Sequence, residues 1–288
     1  MTKYLLLRLL MPVLGRFHGL AHQAAGFAGR VALWHGPSRR RLYRTQAPLS
    51  AFDEGRTRKA TLEAATHLAE YYVDLASLRY RNMARFADRE LVITNPSGMD
   101  AIAAPGPRII IGGHMAGAEL TLRVLPELGH EFTALVEPLE PRPLREYLVE
   151  ARSGPGARYF PSGRSGVRQC MRTLRQGGLV ALMGDRDLNG DGVCVEFFGR
   201  RVRFPRGPWE MGARTGAAVI PVLCRKRGGG IEVTIREPIT VPASPEKRVA
   251  IPRAAQAWAD VLQHHLVREP GQWIVSEDFW RNHRCGEG

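Results

Sequence analysis

The sequence predicts an α/β protein: a mostly parallel central sheet flanked by helices, with an N-terminal amphipathic helical segment ahead of it. Beyond residue 107, short apolar runs alternate with helical stretches, the pattern of strands joined by helical crossovers. The 288 residues suffice to bury a large core, and 44% hydrophobic with 24% charged residues is a globular composition. The head of the chain differs, since residues 1–60 hold eleven Lys or Arg against two acids, Asp53 and Glu54.

The first element is the leucine-rich stretch 4–17, interrupted by Arg8 and Arg16. On a helix these arginines lie about 80° apart, so one side is cationic and the rest apolar. A bilayer crossing takes about 20 apolar residues, more than this run offers. Arg8 also splits it where a signal peptide would be continuous, and no small-residue cleavage site follows. It reads as an interfacial anchor. With Arg39, Arg40, Arg41 and Arg44 it defines a basic, membrane-associating segment over 1–50, followed by a single domain over 51–288. The formal charge of +13 calls for an acidic partner: an anionic membrane, an acidic carrier protein or nucleic acid. No zinc-finger spacing or RNA-binding aromatic motif accompanies it, which argues against nucleic acid. Cys170, Cys194, Cys224 and Cys285 are widely spaced with no Cys-x-x-Cys pair, as in a reduced, cytoplasmic protein.

Leu62, Ala65, Leu68, Ala69, Tyr72, Leu75 and Ala76 recur at helical spacing and predict one long helix over 56–86. Pro96, Ser97 and Gly98 mark a turn. Strands are then expected over 108–113, 131–136, 158–161, 179–184, 195–198, 217–224 and 231–237, with helices near 116–128, 143–153, 164–176, 206–215 and 252–268. In such folds ligands sit beyond the carboxyl ends of the strands, so the loops there carry the chemistry.

The first informative loop is Gly112-Gly113-His114-Met115-Ala116-Gly117-Ala118-Glu119. Two glycines allow a sharp exit from the strand, and Leu120, Leu122, Val124 and Leu125 suggest a helix beyond. On one straight helix His114 and Glu119 would lie about 140° apart, so the histidine belongs in the turn and the acid one turn into the helix, pointing back. A neutral imidazole tied to a carboxylate through one nitrogen offers the other as a general base, which suits activation of a hydroxyl. The second loop, 184–199, formally matches a calcium loop through Asp185, Asp187, Asn189, Gly190 and Glu196. Strand-like runs flank it where helices are required, so no metal is expected. It reads instead as a polar strand-to-strand loop bringing Asp185 and Glu196 to the edge that carries His114, as alternative partners of the imidazole. His18 and His22 have metal-pair spacing without a third ligand, and His264 and His265 stand alone.

The Gly-Gly-His-x-x-x-x-Glu segment and the run from Gly184-Asp185-Arg186-Asp187 to Val195-Glu196-Phe197-Phe198-Gly199 occur in order with two later motifs. These are Pro205-x-Gly207 with Arg214-Thr215-Gly216-Ala217-Ala218-Val219-Ile220-Pro221-Val222, and the tail Glu269-Pro270-Gly271-Gln272-Trp273. The set resembles the bacterial lipid A biosynthesis (lauroyl/myristoyl) acyltransferase superfamily, most nearly its phosphatidylinositol mannoside acyltransferase branch, over residues 55–280. The resemblance implies a glycerolipid-acyltransferase-like fold. It implies transfer of a fatty acyl chain from acyl-CoA or acyl-carrier protein, as co-substrate and without cofactor or metal, to a hydroxyl of a membrane glycolipid. The place implied is the cytoplasmic face of the cell membrane, with peripheral or monotopic attachment.

By the same resemblance His114 is the base, Glu119 the motif acid, and Glu196 the acid implicated in a charge relay. Arg152 is a family arginine placed to handle phosphate or developing oxyanion charge, and Asp185 and Arg186 join it as substrate-binding residues. Backbone amides over 112–116, or Arg152, are expected to stabilise the oxyanion. Two other functions fit part of the pattern. A glycerophosphate-type acyltransferase shares the histidine–acid logic, but Phe204-Pro205-Arg206-Gly207 lacks the acid of its Phe-Pro-Glu-Gly-Thr-type segment. A non-catalytic basic membrane-binding protein would share only the charge.

Overall fold

The computed structural model describes residues 10–32, 37–138, 140–242 and 247–286. Residues 10–16 are helical and continue into α1 (His18–Ala32), since Phe17 N bonds Val13 O and Ala21 N bonds Phe17 O. After α2 (Pro37–Leu49), Asp53 caps α3 (Glu54–Ser77) by accepting from Arg56 N. The single helix expected over 56–86 is in fact two. Asn82 caps a separate α4 (Met83–Arg89) by accepting from Arg85 N at 2.9 Å. A side chain that bonds nearby backbone competes with helix continuation, and apolar spacing does not register that competition.

The order then runs β1 (Leu91–Ile93), α5 (Gly98–Ala103), β2 (Arg108–Gly112), α6 (Ala118–Arg123), β3 (Phe132–Val136), α7 (Arg142–Arg152), β4 (Ala157–Pro161), α8 (Arg164–Arg175) and β5 (Leu179–Met183). The hairpin β6 (Val193–Phe197) and β7 (Arg200–Phe204) follows, then α9 (Gly207–Thr215), β8 (Ala218–Arg227), β9 (Gly230–Ile235), α10 (Lys247–Leu266) and α11 (Phe279–Asn282). Seven strands form one sheet in the order β1-β9-β8-β2-β5-β3-β4. Five of them, β8, β2, β5, β3 and β4, are parallel, while β9 and β1 run the opposite way along one edge. This is the mostly parallel, helix-flanked sheet expected. Its centre is apolar on both faces, as Ile109, Ile110 and Ile111 on β2 and Leu179, Val180, Ala181 and Leu182 on β5 are all buried. Two strands escaped the sequence pattern. β1 has three residues, and β7 hides Val202 and Phe204 among arginines because only one of its faces is covered.

The N-terminal helices lie against α3. A Cβ at Gly15 would collide with Ala76 O, and one at Gly29 would come within 2.6 Å of Ala65 O, so small residues set the close approach. Met11 packs inward, whereas Leu10, Val13, Phe17, Leu20, Phe27 and Val31 are exposed along the opposite side. Residues 4–9 of the expected anchor, with Arg8, lie outside the described residues. α2 is tied to the C-terminal segment through Thr45 Oγ1 to Glu277 O at 2.7 Å and Gln46 Nε2 to Trp273 O at 3.0 Å.

The expectation of four reduced cysteines is corrected: Cys194 and Cys285 form a disulfide with Cα atoms 6.1 Å apart, while Cys170 and Cys224 are buried thiols. The partners are 91 residues apart in sequence, so their spacing carries no sign of it. They meet because Cys194 is on the outer face of β6 and Val202 of β7 bridges to Arg284. Cys285→Ser is expected to lower the unfolding free energy by about 2–4 kcal/mol. Urea denaturation without reductant reads this, and the double variant with Cys194→Ser should lose nothing further.

Candidate active site

β2 and β5 are parallel neighbours with Gly112 opposite Met183. Each strand exits through a glycine, and the second residue past each end is His114 on one and Asp185 on the other. Equal offsets from a paired register bring the side chains together, with His114 Nδ1 2.7 Å from Asp185 Oδ1. The histidine loop is held by its own backbone: His114 N donates to Asp185 Oδ2 at 2.7 Å, Met115 N to Gly113 O at 2.8 Å, and Ala116 N to Gln272 O at 2.9 Å. Ile274 N donates back to His114 O at 2.9 Å. Gly117 then turns into α6 with φ +88°, and a Cβ there would sit 2.7 Å from Ile231 Cδ1.

Asp185 is fully buried, and its Oδ2 accepts a further bond from Trp273 Nε1 at 2.8 Å. Burial alone would raise its pKa. The His114 ring, the Trp273 indole and the His114 N–H outweigh that and hold the carboxyl below its ordinary value. The group is an anion at neutral pH and can only accept, so in the neutral ring Nδ1 of His114 carries the proton and Nε2 the lone pair. The histidine side chain remains 32% exposed. A tautomer fixed from behind by a buried carboxylate, on a ring open in part to solvent, is equipped to take a proton from a bound hydroxyl.

The structure separates the other expected site residues from the ring. Glu119 is buried against Arg152, accepting from Nε at 2.9 and 3.1 Å and from Nη2 at 2.7 Å, and from Tyr71 Oη at 3.0 Å. Glu196 lies on the exposed side of β6, since alternation sends Val193, Val195 and Phe197 inward, and its N–H donates to Gln256 Oε1 at 2.8 Å. Neither touches the imidazole, so the expectation that Glu119 or Glu196 holds it is corrected in favour of Asp185. Part of the oxyanion expectation also meets a structural obstacle. The amides of His114, Met115 and Ala116 are already bonded, and Arg152 is buried in its pair.

Arg186 sits beside the site between two acids, donating to Glu277 Oε1 at 2.6 Å and Glu137 Oε2 at 3.3 Å. Glu277 also bonds His283 Nε2 at 2.9 Å and Asn282 Nδ2 at 2.9 Å. Asp187 closes its own loop by accepting from Asn189 N, Gly190 N and Gly192 N, which explains the calcium-like spacing in structural terms. Sequence reasoning overlooked Glu277 and His283, for which spacing gave no signal. Trp273 was visible only as part of the Gln-Trp tail.

A second buried ionic cluster joins α1, α3 and β8. Lys226 Nζ reaches Asp74 at 2.7 Å and Glu70 at 3.1 Å, His22 Nε2 reaches Asp74 at 2.9 Å, and His67 Nδ1 reaches Glu70 at 3.2 Å. Burial opposes ionisation of Glu70, but His67 and Lys226 reverse the effect and lower its pKa from 4.5 to about 2. A depressed folded pKa contributes stability above the unfolded value that is lost as pH falls toward the folded one. Part of the protein's acid sensitivity is thus expected between pH 4.5 and about 2, and Glu70→Gln should flatten that part in denaturant titrations.

Residues 64–282 match the family model described as bacterial lipid A biosynthesis acyltransferase, which makes the protein a lipid acyltransferase. The chain belongs to the bacterial lipid A biosynthesis acyltransferase family. It is 29% identical over 227 residues to the phosphatidylinositol mannoside acyltransferase of Mycobacterium tuberculosis, covering 77% of this chain and 69% of that protein. With the protein of the same name from Mycolicibacterium smegmatis it shares 29% over 152 residues, 52% of this chain and 48% of that one. The solved 1-acyl-sn-glycerophosphate (LPA) acyltransferase PlsC from Thermotoga maritima aligns over 67% of this chain and 82% of that chain at 15% identity and TM-score 0.38, too distant to bear on chemistry.

Proposed function

We propose that the protein transfers a fatty acyl chain from an acyl-CoA or acyl-carrier-protein thioester to a hydroxyl of a membrane glycolipid, phosphatidylinositol mannoside- or lipid A-like, with His114 as general base and Asp185 as its partner. The observation that carries this reading is the 2.7 Å bond between His114 Nδ1 and the buried Asp185. In a ternary complex Nε2 takes the acceptor proton as the hydroxyl oxygen attacks the thioester carbonyl. Asp185 stabilises the imidazolium that forms. Collapse of the tetrahedral adduct breaks the C–S bond, and the imidazolium returns the proton to the leaving thiolate, giving ester and free thiol. The cycle balances with the donor as co-substrate and no cofactor.

Attachment to an anionic bilayer surface through the 1–50 segment, with 51–288 as the acyltransferase domain, belongs to the same proposal. No helix among the described residues is long and apolar enough to cross a membrane. Support for surface attachment comes from the outward row Leu10, Val13, Phe17, Leu20, Phe27 and Val31 beside exposed Arg16 and Arg30. Residues 1–52 contain no Asp or Glu, so the same segment of a second copy would offer this row no countercharge, whereas anionic lipid would. The cytoplasmic face is proposed because the thioester donors are held there, and no nucleic-acid partner is invoked. The disulfide is the feature that opposes a reducing compartment. Alkylating free thiols in intact cells before isolation tests that side of the membrane.

The test of the reaction is product analysis by thin-layer chromatography. Purified protein given palmitoyl-CoA should acylate a mannosylated glycolipid in preference to a glycerophosphate, with His114→Ala as the inactive control. Acylation of the glycerophosphate alone would move the assignment to phospholipid synthesis. Transfer by His114→Ala at the parent rate would remove the base.

A further inference from the structure

We propose that Trp273 is a positioning residue for the acyl transfer, its indole N–H fixing Asp185 in the orientation that leaves Oδ1 for the imidazole. The inference rests on the reading of His114 as the base. Trp273 and Asp185 are both fully buried, and Nε1 donates to Oδ2 at 2.8 Å. The ring is itself immobilised, edge-on to Phe279 with centroids 4.7 Å apart and to Phe197 at 5.9 Å, and its carbonyl accepts from Gln46 Nε2.

Its backbone completes the arrangement. Trp273 bridges Met115, Gln272 O accepts from Ala116 N, and Ile274 N donates to His114 O. Three consecutive residues therefore brace the loop that carries the base and, through one side chain, the base's partner. The two oxygens of Asp185 become inequivalent: Oδ2 takes the His114 amide and the indole, Oδ1 takes only the ring. The terminal torsion of an aspartate is broad by nature, so its orientation must come from such donors. Among the described residues, the titratable and charged groups around the carboxylate are the His114 ring and Arg186, the latter held by Glu137 and Glu277. From α10 comes Trp258, whose indole donates to Gly184 O at 2.9 Å and does not titrate.

Trp273→Phe keeps an aromatic ring in the cluster and removes the N–H. We expect kcat to fall about 10- to 100-fold, the range set by small misplacements of reacting groups, with KM for both substrates unchanged. The acid limb of kcat/KM should move to higher pH, because a carboxylate with one donor fewer turns more of its negative charge on the ring and stabilises the imidazolium. A purely structural role would lower stability and leave kcat per folded molecule and the pH limb in place. That result, together with an inactive Asp185→Asn, overturns this inference and spares the base, whereas an active Asp185→Asn overturns the reading beneath it. Should Trp273→Phe not fold, the indole Nε1–H resonance of Trp273 decides. It is expected to shift between the parent and Asp185→Asn, and an unchanged resonance sinks the proposal.

Discussion

Asp185→Asn is expected to lower kcat by about 10³- to 10⁴-fold while leaving the fold intact. The substitution is nearly isosteric, so the loss would come from hydrogen-bond direction. Oδ2 of Asp185 accepts two N–H groups, from the His114 backbone and the Trp273 indole. An asparagine must therefore put its carbonyl oxygen there and its NH2 where Oδ1 was. That amide faces His114 Nδ1 as a donor. The ring must then accept at Nδ1 and carry its proton on Nε2, the tautomer that cannot deprotonate a substrate. Steady-state transfer with both substrates saturating, beside circular dichroism of the same sample, measures it. A rate within tenfold of the parent would mean that the 2.7 Å contact is structural only.

How much of this was legible follows from the range of each interaction. β2 and β5 stood out as apolar runs closed by glycine, and both carry their polar residue two positions past the end. Their adjacency did not. β3 and β4 come between them in sequence, and only the sheet order places β5 beside β2. Asp185 was thus one alternative among several until the register singled it out. Glu196 illustrates a signal present and outweighed by resemblance, because the alternation Val193, Val195, Phe197 already turned it outward. Glu119 and Trp273 were beyond such reasoning. Their partners lie 33, 48 and 88 residues away, and nothing in local periodicity connects α6 to α3 and α7, or the C-terminal tail to the loop after β5. The same distance effect hid the disulfide.

Arg152→Met is expected to cost about 3–5 kcal/mol of stability, the usual result of removing one partner from a buried pair. Glu119 begins α6, Arg152 ends α7 and Tyr71 lies on α3, so one ionic group ties three helices together behind the histidine loop. Without the guanidinium, the carboxylate keeps only the Tyr71 hydroxyl, whose own pKa is driven far above its ordinary range by burial and by Glu119 itself. A neutral phenol offers one hydrogen bond and no countercharge. Pairing Arg152→Met with Glu119→Leu removes both charges and is expected to recover most of the loss, since an apolar replacement of a buried pair is often neutral or better. Urea denaturation of the parent, both single variants and the double variant closes the cycle. Activity then separates two roles for the pair. If the pair only holds the loop that carries His114, the double variant regains transfer along with stability; if it regains stability but stays inactive, the pair serves the reaction itself, as the family resemblance implies for Arg152.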